Sequence, residues 1–569
     1  MSQTVSKKFL RSVDTCVDDN LLGYVKLHTG VKLLKKHSAV IRDDLESIKR
    51  DGRVTILSGG GAGHEPFAAG FVGRGMLTGA VSGAIFTSPT SANILATVRL
   101  LATGNSGGLL MLVANYTGDR LTFGQALERA RLEGLRVEMI VVAEDCALSA
   151  VSKSVGRRGL CGMIFMQKLA GAMAESGHSL PDIVDHLNRA AKKMGTMGVC
   201  QSSCSLPGAG ALFQLGADEL ELGLGIHGEV GVKRIKVRSS EAIVEMMIRH
   251  MTNTESTSHV ELKRGDCVAV LVNNLGSLTH IEMNIVAHDV FTLLTQVMEL
   301  KVERCYVGTL QTSLDMGGFS ISIMHVTPSL LRYLDAPTTA PAWLQVGSGL
   351  VTNDSLLFVD PMAVEETSFA VPASTAKLNR HETDLLQNCI IRGCEVLILN
   401  EAKLNALDSG CGDGDCGTTL KKGAKAVLYL IESDLDWSCP MDIFLRIGSA
   451  VSESMGGCSG GLLSIFFTSA SGALSNRLTT IDWCNALEID PLAAAYQILR
   501  AQLEVGSRPL AALTESVAEA REVCKQTAGM KAKAGRASYV GSDFLGQPDA
   551  GATAVVLILD AILEIVKAG

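Results

Sequence analysis

Residues 109–119 read Leu109-Leu-Met-Leu-Val-Ala114, then Asn115-Tyr-Thr-Gly-Asp119. A short apolar run closed by polar residues and a glycine reads as a strand delivering its end to a loop. The same arrangement recurs at Val54–Ser58, which runs into Gly59-Gly60-Gly61-Ala62-Gly63-His64, and at Val137–Ala143 and Val268–Val272. Helical patterns separate these runs. Such alternation predicts α/β layers around a largely parallel sheet. In that architecture ligands bind at the carboxyl ends of the strands, where His64 and Asp119 fall. Two α/β lobes are expected, changing near residue 195, with Cys267–Asn273 and Phe319–Val326 among the strands of the second.

From Ala336 to Ala376 the chain carries Pro337, Pro341, Pro361 and Pro372 and no sustained periodicity, which predicts a linker. Beyond it, Arg380–Leu407 places Leu385, Leu386, Cys389, Ile390 and Val396 in a long helical pattern. Ala424–Ile431, Ile443–Ser454, Pro491–Leu503 and Ala552–Lys567 continue in that style, so the C-terminal third is expected to be all-α.

The 569 residues allow about three or four domains, and 47% hydrophobic against 19% charged residues is the balance of a globular protein with large cores. A formal net charge of −8 argues against a nucleic-acid surface, which needs clustered Lys and Arg. No apolar segment approaches the ~20 residues of a membrane span, and Met1-Ser-Gln-Thr-Val-Ser-Lys-Lys8 lacks the apolar stretch of a signal peptide. A soluble cytoplasmic protein with reduced thiols is expected. The fifteen cysteines show no repeated metal-ligand spacing.

Two further stretches carry chemistry. Asp408-Ser-Gly-Cys-Gly-Asp-Gly-Asp-Cys-Gly-Thr-Thr419 gathers three carboxylates beside glycines and two hydroxyls. Mg²⁺ takes hard oxygen ligands, and glycines let Asp408, Asp413 and Asp415 converge. Thr418 and Thr419 then fall where a helix begins, whose amides favour phosphate. A solvated turn with capping aspartates is the bland alternative. Gly223-Leu-Gly-Ile-His-Gly-Glu229 sets His227 between glycines, open to a ligand, although core histidines are the more frequent case. Asp119 reads equally as a helix N-cap or a base. Met455-Gly-Gly-Cys-Ser-Gly-Gly461 offers either backbone donors or a tight helix contact.

Together, Ser58-Gly-Gly-Gly-Ala-Gly-His-Glu-Pro66, Asn115–Asp119, Gly223–His227 and Gly412-Asp-Gly-Asp-Cys-Gly-Thr-Thr419 resemble the dihydroxyacetone kinase family over nearly the whole chain. The resemblance implies a substrate module of two α/β lobes over residues 9–336 (about 9–194 and 195–336), a linker at 337–376, and a nucleotide-binding helical barrel at 377–569. His227 would add to the ketone or aldehyde carbonyl to give a hemiaminal. Gly61, Ala62, Gly63, His64 and Asp119 would hold the triose, with Asp119 taking the hydroxyl proton and His64 in the catalytic set. Asp408, Asp413 and Asp415 would bind Mg²⁺ under ATP. Cys416, Gly417, Thr418, Thr419, Cys458, Ser459, Asp549 and Gly551 would surround the nucleotide. Dihydroxyacetone and D-glyceraldehyde are the implied substrates, in a homodimer with crossed domains. Asp549-Ala-Gly551 and the single-chain layout are most similar to the bifunctional animal members, which implies a second activity: splitting FAD to AMP and riboflavin cyclic 4′,5′-phosphate with Mn²⁺ or Co²⁺.

Two departures stand out. Ala114 occupies the place of a usual Lys. The family stretch Gly-Lys-Ala-x-x-Gly-Asp-Arg-Thr-Met-Leu-Asp here reads Ala501-Gln-Leu-Glu-Val-Gly-Ser-Arg-Pro-Leu-Ala-Ala512, so Ser507 and Ala512 replace acids, Gln502 replaces Lys, and Pro509 lacks a backbone donor. A nucleotide-weak or inactive relative with a binding or regulatory role is therefore the alternative reading.

Overall fold

The computed structural model describes residues 7–148, 156–344, 376–410, 412–432, 435–475, 477–486, 493–530 and 546–568. Most of the expected linker (345–375), Cys411, residues 491–492 and the side chain of Cys458 lie outside the described residues. The chain divides into two compact units, Met1–Val359 and Asp360–Gly569.

In the first unit, β1 (Val31–Leu34), β2 (Ala39–Arg42), β3 (Thr55–Ala62), β4 (Gly79–Ile85), β5 (Leu109–Ala114) and β6 (Val137–Val142) form a sheet in the order β1-β2-β4-β3-β5-β6. It is parallel from β4 through β3 and β5 to β6 and antiparallel at the β1–β2 and β2–β4 pairings. A second sheet contains β7 (Met194–Ser202), β8 (Glu219–Leu222), β9 (Lys233–Lys236), β10 (Cys267–Asn274), β11 (Lys301–Gly308) and β12 (Gly317–His325), in the order β11-β10-β12-β7-β8-β9. Of its pairings only β10–β11 is parallel. The largely parallel sheet expected from the apolar runs thus holds for the first lobe and is corrected for the second. An apolar run reports that both faces are covered; it does not report direction.

Side-chain alternation along the strands builds the layers. Leu109, Met111 and Val113 pack with helices Ser91–Ala102 and Thr117–Leu132, while Leu110 and Leu112 face the other way, toward helix Met163–Glu175. In β10, Val268, Val270 and Val272 pack with helices Ser240–Met251 and His280–Thr292, while Ala269 and Leu271 join the core that contains helix Met163–Glu175. That helix therefore lies between the two sheets, and every residue from Met163 to Ala174 is buried.

β3 differs from expectation in one respect. It continues through the glycines to Ala62 instead of ending at Ser58. A Cβ at Gly59 would stand 2.3 Å from the carbonyl oxygen of Val81 in β4, so close strand packing, not a loop, accounts for that glycine.

The second unit is helical. Helices Arg380–Leu399, Glu401–Asp408, Cys416–Ile431, Pro440–Ser454, Gly457–Ala473, Thr480–Asn485, Ala493–Glu504, Pro509–Gln526 and Ala550–Ala568 follow one another. Sequence neighbours pack together and Ala550–Ala568 returns against Arg380–Leu399, closing a ring. The ring surrounds a cavity of about 560 Å³ whose apolar wall includes Leu386, Ile390, Leu397, Phe444, Phe467 and Leu559. The single helix expected over Arg380–Leu407 is two, broken at Asn400, whose side-chain amide donates to the Val396 carbonyl at 2.8 Å and so competes for the helix end. Among the described residues no helix is long and apolar enough to cross a membrane.

Candidate functional site

The carboxyl ends of β3, β4 and β5 deliver residues 63–66, Phe86 with Ser88, and Tyr116 with Asp119 to one place, and the loop after β8 brings His227 there. A loop between β11 and β12 reaches over from the second sheet. The Thr312 amide donates to the His64 carbonyl (3.1 Å) and the Leu314 amide to the Gly63 carbonyl (2.8 Å). The Thr312 hydroxyl donates to the carbonyls of Gly63 (3.3 Å) and Glu65 (3.0 Å). Gly63 adopts φ +96°, and a Cβ there would lie 2.8 Å from the Phe86 ring, so no other residue fits without displacing that ring.

His64 is buried, and its Nδ1 lies 2.8 Å from the carbonyl oxygen of Thr312. A carbonyl only accepts, so Nδ1 carries the proton and Nε2 presents a lone pair. Nε2 is buried and has no protein partner. Burial, reinforced by His227, pushes His64 down to about 3, which keeps it neutral at pH 7.

The His227 ring meets those of His64, Tyr116 and Phe86 edge to face, with centroid separations of 4.7, 4.5 and 5.4 Å. Its side chain is 21% exposed, which sets it apart from a core histidine. Nδ1 stands 3.5 Å from Oε1 of Glu229, whose Oε2 accepts from the His227 amide at 2.8 Å. Burial alone would raise Glu229, but its hydrogen bond to His227 and the charges of His227 and Arg158 hold it at about 2. An ionised carboxylate at Nδ1 favours the tautomer whose Nε2 lone pair is available.

Asp119, the third residue of helix Thr117–Leu132, is buried, and its Oδ1 has no partner. Burial pushes its carboxyl up, countered in part by the Ser88 hydroxyl and by His227. It does not act as the N-cap, which is Tyr116. Gly61 and Ala62 are buried within β3. Ala114 packs in the hydrophobic core at the end of β5. Glu229, Tyr116 and Phe86 received no role from the sequence, although the first two stand inside the quoted motifs, two residues after His227 and three before Asp119.

In the helical unit, one carboxylate oxygen each of Asp408, Asp413 and Asp415 lie within 4.8 Å of one another. Asp408 ends helix Glu401–Asp408, and its Oδ2 accepts from the amides of Asp415 (3.0 Å) and Cys416 (3.3 Å), the latter opening the next helix. A Cβ at Gly412 would fall 2.2 Å from Asp408 Oδ1, so glycine is needed for this fold-back. Asp408 is thus a cap as well as a candidate ligand, whereas Asp415 makes no side-chain cap bond. Burial and the carboxylates of Asp408, Asp549 and Asp415 raise the Cys416 thiol to about 11, which places Asp549 in the same neighbourhood. The convergence of three hard oxygen donors fits a divalent cation.

The hydroxyl-bearing residues sit at the starts of two helices. The Thr418 amide donates to Asn405 Oδ1 (3.0 Å) and its hydroxyl engages Asn405 and Glu401, so its polar groups face the neighbouring helix. Thr419 donates its amide to the Asp415 carbonyl. Gly417 is buried in the first turn of that helix. Ser459 lies in the first turn of helix Gly457–Ala473. In the glycine cluster, a Cβ at Gly460 would collide with the Met455 carbonyl at 2.2 Å, a local contact within the turn that opens the helix, while Gly456, Gly457 and Gly461 border open space. Asp549 caps helix Ala550–Ala568 through the Ala552 amide (2.7 Å), with Gly551 exposed beside it. In the altered stretch, Pro509 is the first residue of helix Pro509–Gln526, where a missing amide costs no intrahelical bond. Ser507 donates to Gln502 (2.6 Å) and Ala512 is buried.

The Dak1 domain matches residues 22–342 and the DAK2 domain residues 410–564. The chain is 42% identical over 581 residues to Triokinase/FMN cyclase of Homo sapiens, covering 99% of this chain and 100% of the relative. It is 36% identical to a putative 3,4-dihydroxy-2-butanone kinase of Solanum lycopersicum, with 96% of each covered. Among solved structures, the native dihydroxyacetone kinase of C. freundii superposes with a TM-score of 0.62 at 29% identity, covering 98% of this chain and 100% of that one. The same enzyme in complex with AMP-PNP and Mg²⁺ gives 0.61, also at 29% identity and with the same coverage. With both domains matched in order and full-length relatives above 40% identity, this chain belongs to the dihydroxyacetone kinase family.

Proposed function

We propose that this chain phosphorylates dihydroxyacetone and D-glyceraldehyde with ATP as phosphoryl donor. The observation that carries the reading is the convergence on His227 of a buried, neutral His64 and a buried Asp119, each with an unpartnered polar atom, with Glu229 at the far ring nitrogen. Unpartnered buried polar atoms are costly and call for a ligand that satisfies them. A triose does so. Nε2 of His227 adds to the carbonyl carbon, the C=O electron pair moves to oxygen, which takes a proton from solvent to give the hemiaminal hydroxyl, and the positive charge left on the ring is balanced by Glu229 near Nδ1. His64 accepts a substrate hydroxyl at Nε2, and Asp119 takes the proton from the terminal hydroxyl as it attacks the γ-phosphorus. Glycerol has no carbonyl carbon for the imidazole and is rejected at the first step.

Asp408, Asp413 and Asp415 would hold Mg²⁺, which supplies charge neutralisation to the ATP phosphates. The relatives named as kinases, and the neighbour with AMP-PNP and Mg²⁺, support this use of the acidic loop. The test is direct: ATP, Mg²⁺ and each triose should yield ester and ADP, and His227→Ala should abolish turnover. Retained turnover in that variant would remove the hemiaminal. A homodimer is the assembly we expect, and light scattering tests it.

A second reading is FAD splitting to AMP and riboflavin cyclic 4′,5′-phosphate, favoured by relatives named Triokinase/FMN cyclase. The acidic loop would serve with Mn²⁺ or Co²⁺, and a ribityl hydroxyl of FAD would attack its own pyrophosphate. Because the nucleophile belongs to the substrate, the reaction should survive His227→Ala and fail in Asp415→Ala. Chromatography of FAD incubated with Mn²⁺ decides it. If neither ester nor cyclic product forms and Mg-ATP leaves the melting temperature unchanged, the altered Ala501–Ala512 stretch has produced a nucleotide-weak relative.

A further inference from the structure

At the start of the loop that carries His227 lies a buried charged group that the reaction above does not use. Arg158 donates through Nε to Oδ2 of Asp145 at 2.7 Å, and through a terminal nitrogen to the carbonyl of Gly223 at 2.7 Å. The Asp145 side chain is fully buried and that of Arg158 only 12% exposed. Asp145 is fixed in turn: its Oδ1 accepts from the Ala147 amide (2.8 Å), and its own amide donates to the Arg158 carbonyl (3.1 Å). Gly223 is the first residue of the loop that carries His227. It sits at φ +73°, with its amide on the Gly198 carbonyl of β7 at 2.7 Å. Tyr116 packs edge to face on His227 at 4.5 Å, and its hydroxyl is buried without a partner.

We propose that Arg158, clamped on Asp145, is a positioning residue for His227: it anchors the start of the histidine loop at Gly223 and so fixes the seat of the ring and of Glu229 beside Nδ1. The geometry requires a planar fork. Nε meets the carboxylate while a terminal nitrogen reaches the carbonyl, two donors at a fixed planar spacing that the single nitrogen of an ammonium does not reproduce. Arg158 touches no reacting atom. Its effect passes through the loop that seats the ring, so it falls on the addition step and not on nucleotide binding. A misplacement of about 1 Å at such a nucleophile lowers turnover on the order of a hundredfold. The inference rests on the assignment of His227 as the nucleophile.

The experiment uses the full-length chain with Arg158→Met, Arg158→Lys, Glu229→Gln, the double variant Arg158→Met/Glu229→Gln, and His227→Ala. Arg158→Met should lower kcat for dihydroxyacetone on the order of a hundredfold with the KM for ATP unchanged, and added methylguanidinium should restore part of the loss. Arg158→Lys keeps the positive charge in the core; it should fold as the wild type does and recover only part of kcat. The losses of Arg158→Met and Glu229→Gln should be markedly less than multiplicative in the double variant, because both hold the one loop that seats His227. Multiplicative losses without methylguanidinium rescue, or wild-type kcat in Arg158→Lys, would overturn the proposal even with His227→Ala inactive. Full activity in His227→Ala would instead overturn the nucleophile on which it rests. Should Arg158→Met not fold, Arg158→Lys and its coupling to Glu229→Gln carry the same decision.

Discussion

The imidazole of His64 donates from Nδ1 to the carbonyl of Thr312 at 2.8 Å, joining the loop after β3 to the loop before β12 across 248 residues of sequence. The same bond fixes the tautomer and closes the two lobes over the site.

A pH dependence follows from it. His64 titrates near 3 in the folded chain against an ordinary 6.5. Between those values the unfolded chain binds a proton that the folded chain does not, so stability contributed by neutral His64 is present above pH 6.5 and is lost as pH falls toward 3. Other groups titrate in that window, so the comparison with His64→Asn isolates the term. Melting temperatures recorded from pH 7 downward should converge between wild type and variant. Parallel curves would show that His64 carries no such penalty.

Asp119 has the opposite sign. Its carboxyl is raised by burial, so the ionised form costs stability once pH exceeds its ordinary value of 3.8. Asp119→Asn should therefore melt higher than the wild type at neutral pH while losing turnover by about a hundredfold or more. A calorimetric scan paired with a coupled ADP assay checks both, and a variant that melts lower contradicts the burial argument.

The three loop aspartates should separate by experiment. Asp408→Ala removes the acceptor of the Asp415 and Cys416 amides and should cost about 1 kcal/mol of stability in addition to any ligand effect. Asp415→Ala removes no cap and should leave the ligand-free melting temperature unchanged. Both should abolish the thermal shift given by Mg-ATP. A full shift in Asp415→Ala would exclude this residue from the cation site.

Gly63→Ala tests the close packing at the substrate loop. The new methyl would meet the Phe86 ring at 2.8 Å in a backbone region unfavourable to alanine. The expected result is a destabilisation of about 1–3 kcal/mol and a raised KM for triose, read by denaturant unfolding and steady-state kinetics.

Much of this was legible in the residues. The run Leu109–Ala114 is β5 to the residue, because a doubly covered strand needs uninterrupted apolar side chains. The direction of the second sheet was not legible, since β10 carries an apolar run like that of β5 and β12 is buried on both faces despite Ser320 and Ser322, whichever way they pair. The glycines after Ser58 looked like a loop because their reason, the Val81 carbonyl against Gly59, is a contact with another strand. Asn400 breaks a helix that periodicity alone carries through. His64, Asp119, His227 and the three aspartates stood out by type and setting. Phe86 and Arg158 did not, because an aromatic wall and a buried arginine acquire meaning only from what folds onto them.

Helix Met163–Glu175, covered on every side, has a consequence for how the molecule comes apart. A strand can lose one sheet and keep half its shelter, but this helix turns none of its faces to solvent, and even Gln167 and Lys168 are buried. Cutting the chain near residue 194 would leave the first fragment with one flank of Ile164, Phe165, Met166, Leu169 and Met173 exposed, side chains that are now fully buried. The two lobes are therefore one foldon, not two. Hydrogen exchange should show them opening together, and a protease given the native protein should find no surviving single lobe.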